Sequence, residues 1–298
     1  MQTIRKPLDG TGTMIMIVMC VILGLHQVAI KAAAPDIAPI VQIALRYGLS
    51  SLLVLLTIAL RKESLSLKDG TLFAGFVVGM LFSLEFLFIA EGLRYTTASH
   101  MSVFLYTSPI FTALALHWLV PSERLTVRQW LGVTLSFIGI VVSFTGGSFQ
   151  IALDSRELLG DGLGILGGMA WAATTVVIRC TRLSSLPAAK TLLYQLVCGF
   201  ILLSIYAVLS GQADTIVPTP LACASILFQG VVISFGTYLA WFAMLKRYHV
   251  PQLSAFMFLS PILGISFGVL LLHEKVTMQF VTGSILVLMG VTLVSLRR

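Results

Sequence analysis

Five polar or ionisable side chains of this 298-residue chain stand inside long apolar runs: His26, Gln27, Arg46, Glu85 and His100. Charge within hydrocarbon is costly, so an ionisable group there is by default a candidate binding or relay site. The guanidinium of Arg46 suits bidentate capture of a carboxylate. Glu85 is able to take a proton or hold an ammonium group, and the two histidines have side chains that titrate near neutral pH. Each has a plain structural reading beside the functional one. Arg46 serves equally as a partner for helix carbonyls or for Glu85, Glu85 as a side chain that snorkels outward, and the histidines as hydrogen-bonded core groups. Trp171, Tyr238 and Trp241 either line the same space or pack between helices.

The elements that must position these groups follow from composition. The chain is 57% hydrophobic and 10% charged, with a mean hydropathy of +0.99, whereas soluble domains carry about 25% charged residues. A hydrocarbon layer needs roughly 20 apolar residues of helix to cross it. Ten spans meet that need: 13–31, 39–60, 70–91, 96–119, 127–146, 160–179, 188–210, 220–245, 250–272 and 277–296. The run near the N terminus, with Arg5 and Lys6 before it and alanines at 32–34 after it, imitates a secretory signal. Its length, its His26 and Gln27, and its counterpart later in the chain make it the first span.

The net charge of +7 is a topology signal rather than a nucleic-acid footprint. With the N terminus inside, Arg5, Lys6, Arg61, Lys62, Lys68, Arg124, Arg128, Arg179, Arg182, Lys190, Lys246, Arg247, Arg297 and Arg298 fall on the inner side. Only Lys31, Arg94, Arg156 and Lys275 fall outside, and Arg46 lies within a span. That asymmetry predicts both termini in the cytoplasm. It also puts His26, Gln27, Arg46, Glu85 and His100 in the outer half, with Arg46 and Glu85 each roughly 9–13 Å below the boundary at 1.5 Å per residue. At that shared depth the two are able to pair. Cys20, Cys180, Cys198 and Cys223 show neither disulfide nor metal-ligand spacing. No metal and no cofactor are expected.

The chain repeats itself. Leu93/Leu245, Ser102/Ser254, Phe104/Phe256, Ser108/Ser260, Pro109/Pro261 and Ile110/Ile262 recur at a spacing of 152 residues. After a one-residue slip, Glu123/Glu274, Thr126/Thr277, Gly132/Gly283 and Gly139/Gly290 continue it. The reading is two five-span copies, 1–149 and 150–298, and an odd number of spans inverts the second copy. Inverted repeats around a midplane site are a recurring design of secondary transporters, and interrupted segments at matching places point to their moving parts. Proline removes a helical hydrogen bond, at about 3 kcal/mol. Pro109 should therefore leave the carbonyl of Leu105 unpartnered, and Pro261 that of Met257. Ser108, Pro109, Ser260 and Pro261 are the candidate hinge, against the alternative of a static kink. The repeat counterparts of the outer polar set are Thr174, Thr175, Gln195, Thr237 and Gln252, which carry no charge.

ALRYGL at 44–49, LRYTTAS at 93–99, FLYTSPIF at 104–111, SERLT at 122–126 and GVTLSFIGIVV at 132–142 resemble the EamA family of the drug/metabolite transporter superfamily. FMFLSPIL and HEKVT repeat the pattern in the second half. Within that superfamily the chain looks most like YddG-type amino-acid exporters. The resemblance implies ten helices, a central cavity and export of small metabolites from bacteria. One departure is that the tryptophan common in the family's first helix is Leu23 here, while the second half keeps Trp171.

Two motifs mislead. GLGILG at 162–167 fits a dinucleotide fingerprint without the strand that must precede it, and its glycines, like Gly75 and Gly79, suit close helix packing. GISFG at 264–268 fits a nucleophile elbow without the strand-to-helix turn. Thr126 and Gln129 read as a capping box. The sequence thus predicts an all-α polytopic membrane protein of ten helices in two inverted repeats, with no catalytic residue. Its expected place is the bacterial inner membrane, and its expected partners are the lipid bilayer, an amino acid or related metabolite, and protons as a candidate coupling ion. Gln252, Trp171 and Tyr238 join the substrate-binding or gating set. A metabolite or drug efflux carrier of other specificity, a membrane enzyme and a channel are the rival readings.

Overall fold

A computed structural model describes residues 7–62, 69–120, 124–145, 155–214, 216–248, 253 and 256–295. Among them every regular element is helical, apart from an isolated antiparallel bridge between Ile37 and Ile216. In chain order they begin with α1 (Gly10–Ala32), α2 (Pro39–Leu60), α3 (Leu72–Gly92), α4 (Ala98–Leu105), α5 (Ser108–Leu119) and α6 (Val127–Thr145). They continue with α7 (Ser155–Cys180), α8 (Ala188–Leu209), α9 (Pro220–Leu227), a π-helical segment (Phe228–Thr237), α10 (Tyr238–Arg247), α11 (Leu259–Leu272) and α12 (Met278–Ser295).

Eight segments are long and apolar enough to cross a membrane, counting α4 with α5 and α9 with its π segment as one each. The two other expected spans are described over shorter lengths, Val127–Ser143 and Leu259–Leu272. For the second of these, 249–252 and 254–255 lie outside the described residues.

Helix ends are set locally. Asp9 caps α1 by accepting from Gly12 N at 2.8 Å, Thr97 caps α4 through His100 N, and Pro39 opens α2 at a position where its missing N–H costs nothing. The capping box forms as expected. Thr126 N donates to Gln129 Oε1 at 3.0 Å, and Gln129 N donates back to Thr126 Oγ1 at 3.4 Å.

Pro109 breaks its span. Helix α4 ends at Leu105, Tyr106 and Thr107 turn, and α5 restarts with Pro109 in its first turn. Gly168 of α7 packs over the break, where an added Cβ would lie 3.1 Å from the carbonyl of Leu105. At the other Ser-Pro motif Phe258 turns and α11 begins at Leu259, with Pro261 in its first turn.

The helices associate through small residues, as lipid-embedded helices do. Helix α6 crosses α12 backbone to backbone, Gly132 against the carbonyl of Gly290 and Gly139 against that of Gly283. A Cβ at Gly139 would fall 2.6 Å from Val287 N. Gly75 and Gly79 of α3 admit Tyr194 and Cys198 of α8, and Gly164 of the refused fingerprint admits Phe104. Gly162 of the same stretch faces open space. Helices α2 and α3 pack on α8, α3 also on α7, and α1 on α11. The largest core lies among α2, α3 and α8, around Ile40, Tyr47, Phe82, Phe86 and Leu196.

Candidate functional site

Helix α2 turns Arg46, Tyr47, Ser50 and Val54 inward and leaves Leu45, Leu52 and Leu56 exposed. Room for Tyr47 comes from Gly199 of α8, where a Cβ would stand 2.6 Å from the tyrosine ring. Tyr47 then packs with Phe82 and Phe86 of α3 at centroid separations of 5.3 and 5.4 Å. Arg46 lies over this aromatic floor, its Cζ 4.5 Å from the Phe86 centroid and 4.8 Å from that of Tyr47. The guanidinium is 0% exposed, and the ring faces offset part of the cost of burying it.

Its hydrogen bonds run to three helical segments. Nη1 donates to His26 Nε2 of α1 and, at 3.4 Å, to Gln229 Oε1 of the π segment. Nη2 donates to the Tyr47 hydroxyl at 3.1 Å. A guanidinium only donates, so His26 Nε2 accepts. Gln229 is itself fixed: its Nε2 donates to Gln42 Oε1 and to Ser225 Oγ, each at 2.9 Å. Gln42 Nε2 in turn donates to the carbonyls of Ile30 and Ile37. This amide chain ties α1, α2, α9 and the π segment around the arginine.

Three polar atoms of the region have no hydrogen-bond partner among the described residues: Arg46 Nε, Glu85 Oε2 and Gln27 Oε1. Glu85 is 4% exposed and within electrostatic reach of Arg46. The expected direct pair is nevertheless not formed, since no Arg46–Glu85 ion pair occurs among the described residues. The reason is rotational. Successive helix residues point about 100° apart, and it is Phe86, the next residue, that covers the guanidinium.

His100 belongs to a different cluster. Its ring stacks on Phe280 of α12 at 3.8 Å and 10°, and its Nδ1 stands 2.9 Å from Asp161 Oδ2 of α7, with Glu157 at 3.8 Å. Trp171 meets Tyr106 edge-on at 5.7 Å beside the Pro109 break, and Tyr238 packs on the main core. Gln252 lies outside the described residues. The hydroxyls of Thr174, Thr175 and Thr237 donate to carbonyls of their own helical segments. Ser108, Ser260 and Pro261 are buried, and Pro109 is half-buried at the break.

Gln42, Tyr47, Ser225, Gln229 and Asp161 escaped the sequence reading. The two glutamines carried a signal, because a primary amide in a span is costly for the same reason as a charge. Asp161 sat at the expected edge of a span, where carboxylates are unremarked.

A fully buried arginine and a carboxyl with an unpartnered oxygen thus stand inside membrane-length helices. The model of the EamA-like transporter family matches residues 10–145 and again 158–296. The chain belongs to that family. An uncharacterized transporter of Bacillus subtilis, YoaV, is 23% identical over 269 residues, covering 90% of this chain and 91% of the relative. A protein of Salmonella typhimurium named as a probable amino-acid metabolite efflux pump is 23% identical over 283 residues, with 92% and 91% covered. Its Escherichia coli namesake is 23% identical over 298 residues, with 95% and 93% covered. One solved structure shares the fold at a TM-score of 0.65 and 16% identity, over 96% of both chains. EamA proteins are transporters and not enzymes, so this chain is a multi-pass membrane transporter for small molecules.

Proposed function

We propose that this EamA protein exports amino acids or closely related metabolites across the bacterial inner membrane by alternating access. The observation that carries the reading is Arg46. It is a guanidinium fully buried within a span, with one N–H unpartnered and the carboxyl of Glu85, which has one unpartnered oxygen, within electrostatic reach. A zwitterion supplies both missing partners, its carboxylate at Arg46 and its ammonium at Glu85. The names of the Salmonella and Escherichia relatives support the same substrate class.

A ten-helix architecture of two inverted repeats, 1–149 and 150–298, with both termini cytoplasmic, is part of the proposal. Two features support it. The family model matches twice, once in each half. The α6–α12 crossing also pairs Gly132 with Gly290 and Gly139 with Gly283, the pattern a two-fold axis produces from the 151-residue correspondence in the sequence. Proton coupling through Glu85 is the second reading, favoured by the burial of its unpartnered Oε2.

The test is counterflow in liposomes of the purified protein, with and without a pH gradient. Saturable exchange of an amino acid, lost in Arg46→Gln, is the expected result. Flux that never saturates points to a channel instead, and silence toward every amino acid ends the substrate assignment.

A further inference from the structure

The segment Leu93–His100, which leads into α4, is held from three directions. From α1, Lys31 Nζ donates to the carbonyls of Leu93 and, at 2.7 Å, Thr96. From α7, the Asp161 carboxylate accepts from the Thr96 hydroxyl and bonds His100 Nδ1. From the loop after α11, Glu274 accepts three bonds: Ala98 N at 2.7 Å, Ser99 N at 3.0 Å and Ser99 Oγ at 2.6 Å. The chain makes special provision for that glutamate. His273, the residue before it, adopts a left-handed conformation at φ 54°, a state uncommon outside glycine. Gly268 leaves the space, because a Cβ there would meet both Glu274 and Ser99 Oγ.

The other end of the molecule has a related contact. Asp9, at the start of α1, accepts from the Tyr248 hydroxyl at 2.7 Å, and the Tyr248 ring lies against Gly12. Asp9 and Asp161 are 152 residues apart, as are Thr96 and Tyr248, which is the spacing of the two Ser-Pro motifs. The same device, an aspartate near the start of the first helix of each half bonded to a hydroxyl ahead of the broken span, thus recurs at both ends. The two ends differ in chemistry. Positions 250–252, outside the described residues, carry Val250, Pro251 and Gln252 where the first half has Ala98, Ser99 and His100. Proline has neither the N–H nor the hydroxyl that Ser99 gives to Glu274.

We infer that Asp161 and Glu274 are gate residues of the transport cycle, closing the end that holds Leu93–His100, while Asp9 and Tyr248 close the opposite end. With the orientation proposed above, on which the choice of face rests, Asp161 and Glu274 close the outer end and Asp9 and Tyr248 the cytoplasmic end. A gate differs from a structural clamp in that releasing it exposes the interior to one side only.

Labelling of buried cysteines by a membrane-impermeant maleimide tests this. The background is Cys180→Ser, Cys198→Ser and Cys223→Ser, which keeps the fully buried Cys20 of α1 as reporter. A second series places the reporter at Gln27→Cys with Cys20→Ser. Right-side-out and inside-out vesicles are compared. Glu274→Gln and Asp161→Asn should speed labelling from outside by about tenfold, the factor for losing one charge-assisted hydrogen bond, with no gain from inside. Ser99→Ala, which spares the backbone contacts and the helix, should give a smaller rise on the same face. Tyr248→Phe should raise labelling from inside alone.

Unchanged rates at both reporters in Glu274→Gln and Asp161→Asn would overturn the gate. Equal rises from both faces would overturn it too, since they mean a loosened fold. A one-sided response with the faces exchanged supports the gate and overturns the orientation. Failure of amino-acid counterflow leaves these labelling results untouched.

Discussion

Arg46 and His26 meet nitrogen to nitrogen, and the arginine holds the hydrogen. The imidazole therefore presents a lone pair at Nε2, and α1 is tied to α2 through a bond between two buried basic side chains. Arginine is not replaceable here by a point charge, because the guanidinium plane also lies over Phe86 and Tyr47. Arg46→Lys is expected to cut counterflow about 10- to 100-fold with the protein still inserted, a loss of roughly 1.4–2.8 kcal/mol. A wild-type rate in Arg46→Lys would remove stacking from the account.

The Pro109 break predicts a mechanical phenotype. Pro109→Ala allows the hydrogen bond to the carbonyl of Leu105 to form, joins α4 to α5, and favours a straight span by about 3 kcal/mol. Transport should fall while membrane expression is kept, and Pro261→Ala should act in the same direction. Unaltered kinetics in the double variant would mark both breaks as static packing.

Glycine is required at Gly139 and dispensable at Gly162. Alanine at 139 drives a methyl to within 2.6 Å of backbone in α12, so Gly139→Ala should lower stability by about 1–3 kcal/mol. Alanine at 162 meets nothing within 4 Å and should raise it by about 0.5–1 kcal/mol, as alanine does inside a helix. Thermal unfolding in detergent separates the two.

The loop before α3 gives a pH prediction. Asp69 accepts from Lys190 at the start of α8 and from Thr71, and these bonds hold its carboxyl down from the usual 3.8 to about 2. A depressed carboxylate stabilises the fold at pH above its unfolded value, and the contribution fades as pH falls from about 4 through 2. Wild type and Asp69→Asn should therefore differ in thermal stability at pH 6 and converge near pH 2. A constant gap across that range would disprove the linkage.

Much of the architecture was legible because hydropathy has few competitors at this composition. The positions of eight spans, the Thr126–Gln129 box, the packing glycines and the break at Pro109 each follow from a rule about backbone bonds or helix approach. Rotation about each helix axis was not legible. In a helix that is apolar on all sides no stripe marks the inward face, so Glu85 and Phe86 were indistinguishable as partners for Arg46. The separation of His100 from Arg46 was hidden for the same reason, together with the placement of Asp161 in the second turn of α7. The π segment has no sequence signature that periodicity detects.

That segment has a consequence for proton traffic. Over Phe228–Thr237 the backbone runs one residue wide of α-helical register, and hydroxyls take up some of its carbonyls: Ser50 reaches that of Gly230 and Thr237 that of Val232. Amide hydrogens in such a stretch are less firmly held than in the α-helices on either side. In a deuterium-exchange map the span Pro220–Trp241 would therefore show a window of rapid uptake near mid-membrane, bounded by protected turns at Ala222 and Ala240, and that window would lie against the arginine.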